Sequence, residues 1–172
     1  MTRRHLMKLM SLLGLAPLAS QAQAPAVGVK PAAGTATAAA VTDWRKLTAA
    51  EWQARLSPAQ YAVLRREGTE AAHTSPLNAE KRKGVFHCAG CDNPLFSSDT
   101  KYESGTGWPS FFAALPNAVN TKTDFKMIIP RTEYHCARCG GHQGHVFVDG
   151  PRPTGKRYCN NGVALRFEAA AA

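Results

Sequence analysis

Short apolar runs separated by Gly, Pro, Asn and Asp fill the chain after Gly84, as in GVFHC, PLF, FKMIIP, TEYHC, HVFV, RYC and VALRFE. Runs of this length with frequent turn residues are typical of antiparallel strands joined by tight turns. The same region has no glycine-rich phosphate loop and no pattern of parallel strands joined by crossover helices. The sequence therefore predicts a mostly β body from Gly84 onward.

Two short helices are predicted before that body. In LTAAEWQARL, Thr48 and Glu51 have the spacing of a capping box, in which each side chain accepts a hydrogen bond from the other residue's backbone N–H group. Ser57 and Gln60 have the same spacing in SPAQYAVLRREG. Gly68 is expected to end the second helix in the left-handed conformation.

The segment before the helices reads as an export signal and a linker. Residues 1–24 combine a basic start, an apolar run too short to span a bilayer and small residues before a cleavage site. TRRHLMK resembles the twin-arginine signal of proteins exported already folded, with an ordinary secretory peptide as the alternative. Residues 25–43 are rich in Ala, Pro and Gly and indicate a flexible linker. We expect an exported, periplasmic protein without a stable membrane span after cleavage.

Length and charge favour one folded domain, residues 44–172. The full chain has 172 residues and a formal net charge of +9. Removing the three basic residues of the leader leaves 18 basic against 12 acidic residues, or about +6. The basic residues are scattered, so we expect no nucleic-acid partner, although a zinc-knuckle binding module is the second hypothesis.

Four cysteines form two Cys-x-x-Cys pairs, each at the end of a predicted strand: Cys88, Cys91, Cys136 and Cys139. One tight turn with this spacing directs two thiolates at one ion, and two such turns complete a tetrahedron. One structural zinc ion is therefore predicted, with iron or a pair of disulfides as alternatives. His87 and His135, each of which precedes a cysteine, are interpreted as ordinary strand residues.

The fifth cysteine, Cys159, has no partner once the other four bind metal, so it is either a buried inert thiol or a nucleophile. Lys156 and Arg157 lie just before it and are expected to favour its thiolate form. The segment GGHQGHVF supplies His142 and His145, which are expected on a turn that leads into a strand.

Four segments together resemble the B-type methionine sulfoxide reductases, which reduce the R epimer of methionine sulfoxide. They are LSPAQYAVLRREGTE, PLFSSDTKYESGTGWPSFF, HCARCGGHQGHVFVDGPRPTGKRYCNN and ALRF. The resemblance covers roughly residues 44–168. The expected fold is two antiparallel sheets in a β-sandwich or open barrel, with short N-terminal helices and a structural zinc site.

The resemblance also implies catalytic roles. Cys159 matches the family's nucleophile, whose thiolate attacks the sulfoxide and becomes a sulfenic acid. His142 and His145 match the histidines that hydrogen-bond and protonate the sulfoxide oxygen. Asn161 matches an orienting asparagine and is expected on the same side of the same strand as Cys159.

Substrate contacts follow from the same resemblance. Trp108 matches the tryptophan against which the substrate methyl group packs, and Phe147 is its expected companion. From the sequence alone, without the resemblance, a place in the core is the better interpretation of Trp108. Arg131 and Glu133 lie near polar positions of the family.

The chain departs from the family pattern at the residue that often recycles the nucleophile. Many members have a second cysteine where this chain has Thr106, so an external thiol or a thioredoxin-like protein is the expected reductant. Gln143 replaces a usually apolar residue. After Cys159, the commoner family sequence is Cys-Ile-Asn-Ser, whereas this chain has Asn160 in place of Ile and Gly162 in place of Ser. The expected substrate is an oxidised protein or peptide, and the expected oligomeric state is a monomer.

Overall fold

The computed structural model describes residues 42–126 and 128–171. Within them lie two α-helices and nine strands: α1 Ala49–Arg55, α2 Pro58–Arg66, β1 Gly84–Cys88, β2 Pro94–Ser97, β3 Lys101–Tyr102, β4 Ser110–Phe111, β5 Val119–Asp124, β6 Arg131–Cys136, β7 His142–Phe147, β8 Arg157–Asn160 and β9 Leu165–Ala169. The predicted export signal and nearly all of the predicted linker lie outside the described residues. Within those residues, no helix combines the length and apolar character needed to cross a membrane.

Both predicted capping boxes are present. Thr48 and Glu51 cap α1, and Ser57 and Gln60 cap α2, with the backbone and side-chain hydrogen bonds of the motif formed in each case. The expected end of α2 is wrong by one residue, because Glu67 rather than Gly68 has the left-handed conformation, with φ of 55°. Glu67 is held in this position by an ion pair with Lys122 of β5, at 2.6 Å.

The predicted mostly β architecture with two antiparallel sheets is confirmed. The small sheet has the strand order β2-β1-β9, and the large sheet has the order β3-β4-β8-β7-β6-β5. Each pairing is antiparallel. The strand β8, which carries Cys159, therefore lies inside the large sheet between β4 and β7.

Aromatic side chains fill the space between the two sheets. Phe86 and Phe96 of the small sheet contact Phe111 of the large sheet, with ring centroids 5.0 and 4.2 Å away. Tyr134 and Tyr158 extend this cluster along the large sheet. Buried aromatic side chains contribute more apolar area than other residues, so this layer anchors one face of the large sheet. Side chains alternate along a strand, which leaves the opposite face of the large sheet for polar residues.

Candidate active site

A row of polar residues crosses the polar face of the large sheet. In the strand register, Lys122 lies opposite Glu133, Glu133 opposite His145, and His145 opposite Cys159. Directly opposed residues of paired strands project to the same face, where their Cβ atoms lie roughly 5 Å apart. The register therefore places a carboxylate, an imidazole and a thiol in sequence across three neighbouring strands.

A bulge in β7 places His142 on this same face. Residues three apart in a regular strand project to opposite faces, but the register shifts between Tyr134 and His135, so that His142 lies opposite His135. Gly144 permits the close approach, because a Cβ atom there would lie 1.9 Å from the Cys159 carbonyl oxygen. His142 and His145 thus lie within β7 rather than on the turn expected from the sequence.

A cleft opens over Cys159 on the polar face. Its walls bring together most of the residues predicted from the sequence with several that were not: Thr69, Trp108, Arg131, Gly144, His145, Phe147, Cys159, Asn160 and Asn161. Trp108 is only partly buried and faces this cleft, which argues against the alternative of a core residue. His142 is almost fully buried and is not among the residues that line the cleft; its ring centroid lies 5.6 Å from that of His145.

Burial raises the pKa of the Cys159 thiol above its ordinary value, while Arg157 and a hydrogen bond with Thr106 act in the opposite direction. Arg157 thus favours the thiolate as expected, but burial outweighs its effect on the pKa of Cys159. The guanidinium of Arg157 also donates two hydrogen bonds to Asp149, at 2.9 and 2.8 Å, and this carboxylate partly offsets its positive charge. Lys156 is exposed to solvent and lies before the strand.

His142 is held from behind by a carboxylate. Its Nδ1 lies 2.5 Å from Oε1 of the buried Glu133, whereas its Nε2 is buried and has no hydrogen-bond partner among the described residues. Burial lowers the pKa of His142, and Glu133 partly offsets this effect. A carboxylate beside one ring nitrogen favours the imidazolium, in which the other nitrogen is a donor.

His145 has its own carboxylate, Asp124, which sequence reasoning missed. Its Nε2 lies 2.7 Å from Asp124 Oδ2, and Arg131 donates to the same oxygen at 2.7 Å. A backbone hydrogen bond from Lys126, together with those from His145 and Arg131, holds the pKa of Asp124 well below its usual range. Asp124 ends β5 without a recognisable motif, so only the strand pairing reveals its role.

Asn161 lies just beyond β8 rather than within it, which corrects its expected position. Its side chain accepts a hydrogen bond from the Glu70 backbone N–H at 3.0 Å and donates one to the Gln143 carbonyl at 2.9 Å. Glu70 also accepts a bond from the Trp108 indole at its carbonyl, at 3.1 Å. Glu70 therefore fixes both Asn161 and Trp108. The sequence gives no signal for this role beyond the family resemblance of its segment.

The hydroxyl of Thr106 lies next to the thiol of Cys159. It hydrogen-bonds to Ser104 at 2.9 Å and contributes a hydrogen bond that lowers the pKa of Cys159. A hydroxyl is able to stabilise the neighbouring thiolate in this way, but it has no sulfur with which to form a disulfide.

The four paired cysteines form one buried cluster, and their sulfur atoms lie within 4.8 Å of one another. The Cys88 and Cys139 sulfurs are 3.7 Å apart, and those of Cys91 and Cys136 are 3.5 Å apart. Disulfide sulfurs would be separated by about 2.05 Å, whereas thiolates at about 2.3 Å from a tetrahedral zinc ion lie about 3.8 Å apart. The cluster therefore fits a structural zinc ion.

Polar contacts around the cluster also suit thiolate ligands. The Gly141 backbone N–H donates to the Cys139 sulfur at 3.3 Å, and the buried Gln143 amide donates to the Cys88 sulfur at 3.4 Å. Four thiolates this close together repel one another, so full deprotonation of the cluster requires a compensating metal charge.

Comparisons with known proteins agree with the geometry. The SelR domain family matches residues 56–169. Peptide methionine sulfoxide reductase MsrB of Methanosarcina barkeri is 54% identical over 119 residues, which cover 69% of this chain and 84% of that protein. MsrB of Agrobacterium fabrum is 52% identical over 69% of this chain and 89% of its own length.

A chloroplastic relative, peptide methionine sulfoxide reductase B1 of Arabidopsis thaliana, is 51% identical over 74% of this chain, and the match spans 63% of that longer protein. Among solved structures, the Mis18 "Yippee-like" domain aligns with 53% of this chain and 100% of its own, at a TM-score of 0.42 and 19% identity. The extent of the family match and the identity to the microbial relatives show that the chain belongs to the SelR family, the B-type methionine-R-sulfoxide reductases.

Proposed function

We propose that the protein reduces methionine-R-sulfoxide in oxidised proteins or peptides, with Cys159 as the nucleophile. The observation that carries this proposal is the cleft itself, in which the Cys159 thiol lies together with two aromatic side chains, Trp108 and Phe147, and with His145. An apolar wall suits the methyl group of the substrate, and a proton donor beside a thiol suits reduction of a polar S=O group. The family match supports the same activity.

The reaction begins with attack of the Cys159 thiolate on the sulfoxide sulfur. An S–S bond forms while the S–O bond breaks, and the oxygen takes up two protons and leaves as water. Water then attacks the Cys159 sulfur, which releases methionine and leaves a sulfenic acid. The substrate sulfur gains two electrons in total, and the cysteine sulfur loses two.

Protons for the departing oxygen come from the histidines of β7. His145 lines the cleft and is oriented by Asp124 at 2.7 Å. His142 lies behind His145, with Glu133 at its Nδ1, and its Nε2, which has no hydrogen-bond partner within residues 42–126 and 128–171, is able to donate once protonated. Two carboxylates that each hold one imidazole are a suitable arrangement for stabilising the cationic donor forms.

Zinc at the four-cysteine cluster supplies a structural cross-link when bound, because four thiolates leave no open coordination position for substrate. The cluster ties the turn after β1 to the turn after β6, and thereby connects the two sheets. The chain's own residues at the cleft perform the chemistry.

Recycling of the sulfenic acid requires a thiol from outside the chain. One thiol displaces the sulfenic oxygen as water to form a mixed disulfide, and a second thiol reduces that disulfide to restore Cys159. The hydroxyl of Thr106 beside Cys159 supports this proposal, since the four remaining cysteines are buried in the metal cluster. The proposed reductant is a thioredoxin-like protein in the compartment to which the chain is exported. A monomer is the proposed functional unit.

Reduction of the two sulfoxide epimers of a blocked methionine with dithiothreitol tests the proposal. We expect wild type to reduce the R epimer alone and Cys159→Ser to lose this activity while keeping its zinc and its melting temperature. Reduction of the S epimer alone, or full activity in Cys159→Ser, would refute the assignment.

A further inference from the structure

A second group of metal-ligating side chains lies on the polar face of the large sheet, separate from the four cysteines. Glu133, His135 and His142 bring a carboxylate oxygen and two imidazole nitrogens within 4.8 Å of one another. We propose that these three residues bind a divalent transition-metal ion such as Zn²⁺, and that the ion inhibits the enzyme. The site is called the Glu-His-His site below.

The strand register preorganises the three ligands. His135 lies directly opposite His142 in the β6–β7 pairing, and Glu133 precedes His135 by two residues on the same face. Sequence reasoning treated His135 as an ordinary strand residue, because the β7 bulge that brings His142 to it is not visible in the pattern. Two histidines and one carboxylate form a ligand set that zinc accepts with a fourth, open position for water.

The distances require a small opening of the cluster. Glu133 Oε1 lies 2.7 Å from His135 Nε2 and 2.5 Å from His142 Nδ1, so one carboxylate oxygen lies beside both imidazoles. Ligand atoms around a tetrahedral zinc ion are separated by about 3.3–3.5 Å. The ion therefore enters after shifts of less than about 1 Å, and each imidazole binds in its neutral form with its N–H on the ring nitrogen away from the metal.

Charge and access allow a cation to reach the site. The His135 side chain is 15% exposed, whereas the other two ligands are 2% exposed, so entry is past His135. Lys122 contacts the other carboxylate oxygen, Oε2, at 3.3 Å and leaves Oε1 available. The positive charge of Lys122 is balanced by Glu67 at 2.6 Å.

Inhibition follows from the choice of ligands. A metal ion on His142 Nδ1 takes the place of the Glu133 hydrogen bond and prevents the imidazole from carrying the extra proton used in the proposed reaction. The inhibitory effect thus rests on the proposed function, whereas metal binding does not.

Binding is tested by calorimetric titration of the zinc-loaded Cys159→Ser protein with Zn²⁺, since this background removes the thiolate of the cleft as a competing ligand. We expect one additional ion per chain, and at least about tenfold weaker binding in the added His135→Asn variant. His87→Asn is the matched control, because His87 also precedes a zinc-site cysteine but has no second histidine among its described neighbours. Melting temperature and cluster zinc content verify that each variant is folded.

Inhibition is tested with the Cys159 protein and its His135→Asn variant. We expect equal activity without added metal, and at least about tenfold weaker inhibition by Zn²⁺ in His135→Asn. The proposal is overturned if no additional ion binds, or if His135→Asn binds or is inhibited like the parent. Failure of sulfoxide reduction in both proteins would refute the proposed function while the titration still decides the metal site.

Discussion

Replacement of Glu133 by Gln is expected to slow sulfoxide reduction without unfolding the protein. The reactive state combines the Cys159 thiolate with a protonated His142. Burial acts against both, because it raises the pKa of Cys159 and lowers that of His142. At a pH between the pKa of His142 and the pKa of Cys159, only a small fraction of the enzyme has both the thiolate and the imidazolium. That fraction depends on how well Glu133 stabilises the imidazolium.

The size of the effect follows from the Glu133–His142 contact. Both side chains are buried, and the hydrogen bond measures 2.5 Å. A hydrogen bond to a charged group contributes about 1.5–3 kcal/mol, and each 1.36 kcal/mol changes a rate tenfold. Loss of the Glu133 charge is therefore expected to reduce the rate of the chemical step by about 10–150-fold.

A single-turnover experiment without reductant isolates this step, with methionine formation measured from about pH 5 to pH 10. In wild type, the rate should be flat between an acid limb below the ordinary histidine pKa of 6.5 and an alkaline limb above the ordinary cysteine pKa of 9.0. Glu133→Gln should lower the flat region and move the acid limb to lower pH. His135→Asn is the control, because it removes the other imidazole from the same carboxylate. A Glu133→Gln rate within twofold of wild type, or an equal loss in His135→Asn, would contradict the role assigned to Glu133.

Three further substitutions test the surroundings of the nucleophile. Thr106→Cys places a thiol beside Cys159, so oxidation by substrate should yield an internal disulfide by mass spectrometry; a persistent sulfenic acid would show that the two side chains are not adjacent. Tyr134→Phe leaves the buried Asn160 Oδ1 without its 2.6 Å hydrogen bond and should lower the free energy of unfolding by about 1–3 kcal/mol in urea; unchanged stability would argue against that bond. Gly144→Ala would place a Cβ atom 1.9 Å from the Cys159 carbonyl, so a clearly lower melting temperature is expected, and an unchanged one would contradict the close approach of β7 and β8.

Local signals in the sequence predicted much of this architecture. Each capping box depends on two residues three apart, and each cysteine pair depends on its own tight turn. These features can therefore be predicted without knowledge of the tertiary structure. The lone cysteine was likewise assigned from its own segment and its family pattern. These features are properties of short stretches, which is why they could be found before the fold was known.

Features set by strand register could not be predicted in the same way. The bulge opposite His135 decides that His142 and His145 share a face, and it also turns the intervening Gln143 toward the zinc cluster. Asp124 and Glu70 act through partners 21 and 91 residues away. The net effect on the Cys159 pKa depends on burial, which neighbouring charges in the sequence do not reveal.

In the proposed reaction Cys159 alone carries the oxidised intermediate. The most direct test of this role is mass spectrometry of the zinc-loaded protein after reaction with excess methionine-R-sulfoxide in the absence of any thiol, followed by trapping with a sulfenic-acid reagent. We expect one trapped oxygen on Cys159 with all four zinc-site cysteines unmodified. Rapid formation of an intramolecular disulfide between Cys159 and a cysteine of the metal cluster would contradict it.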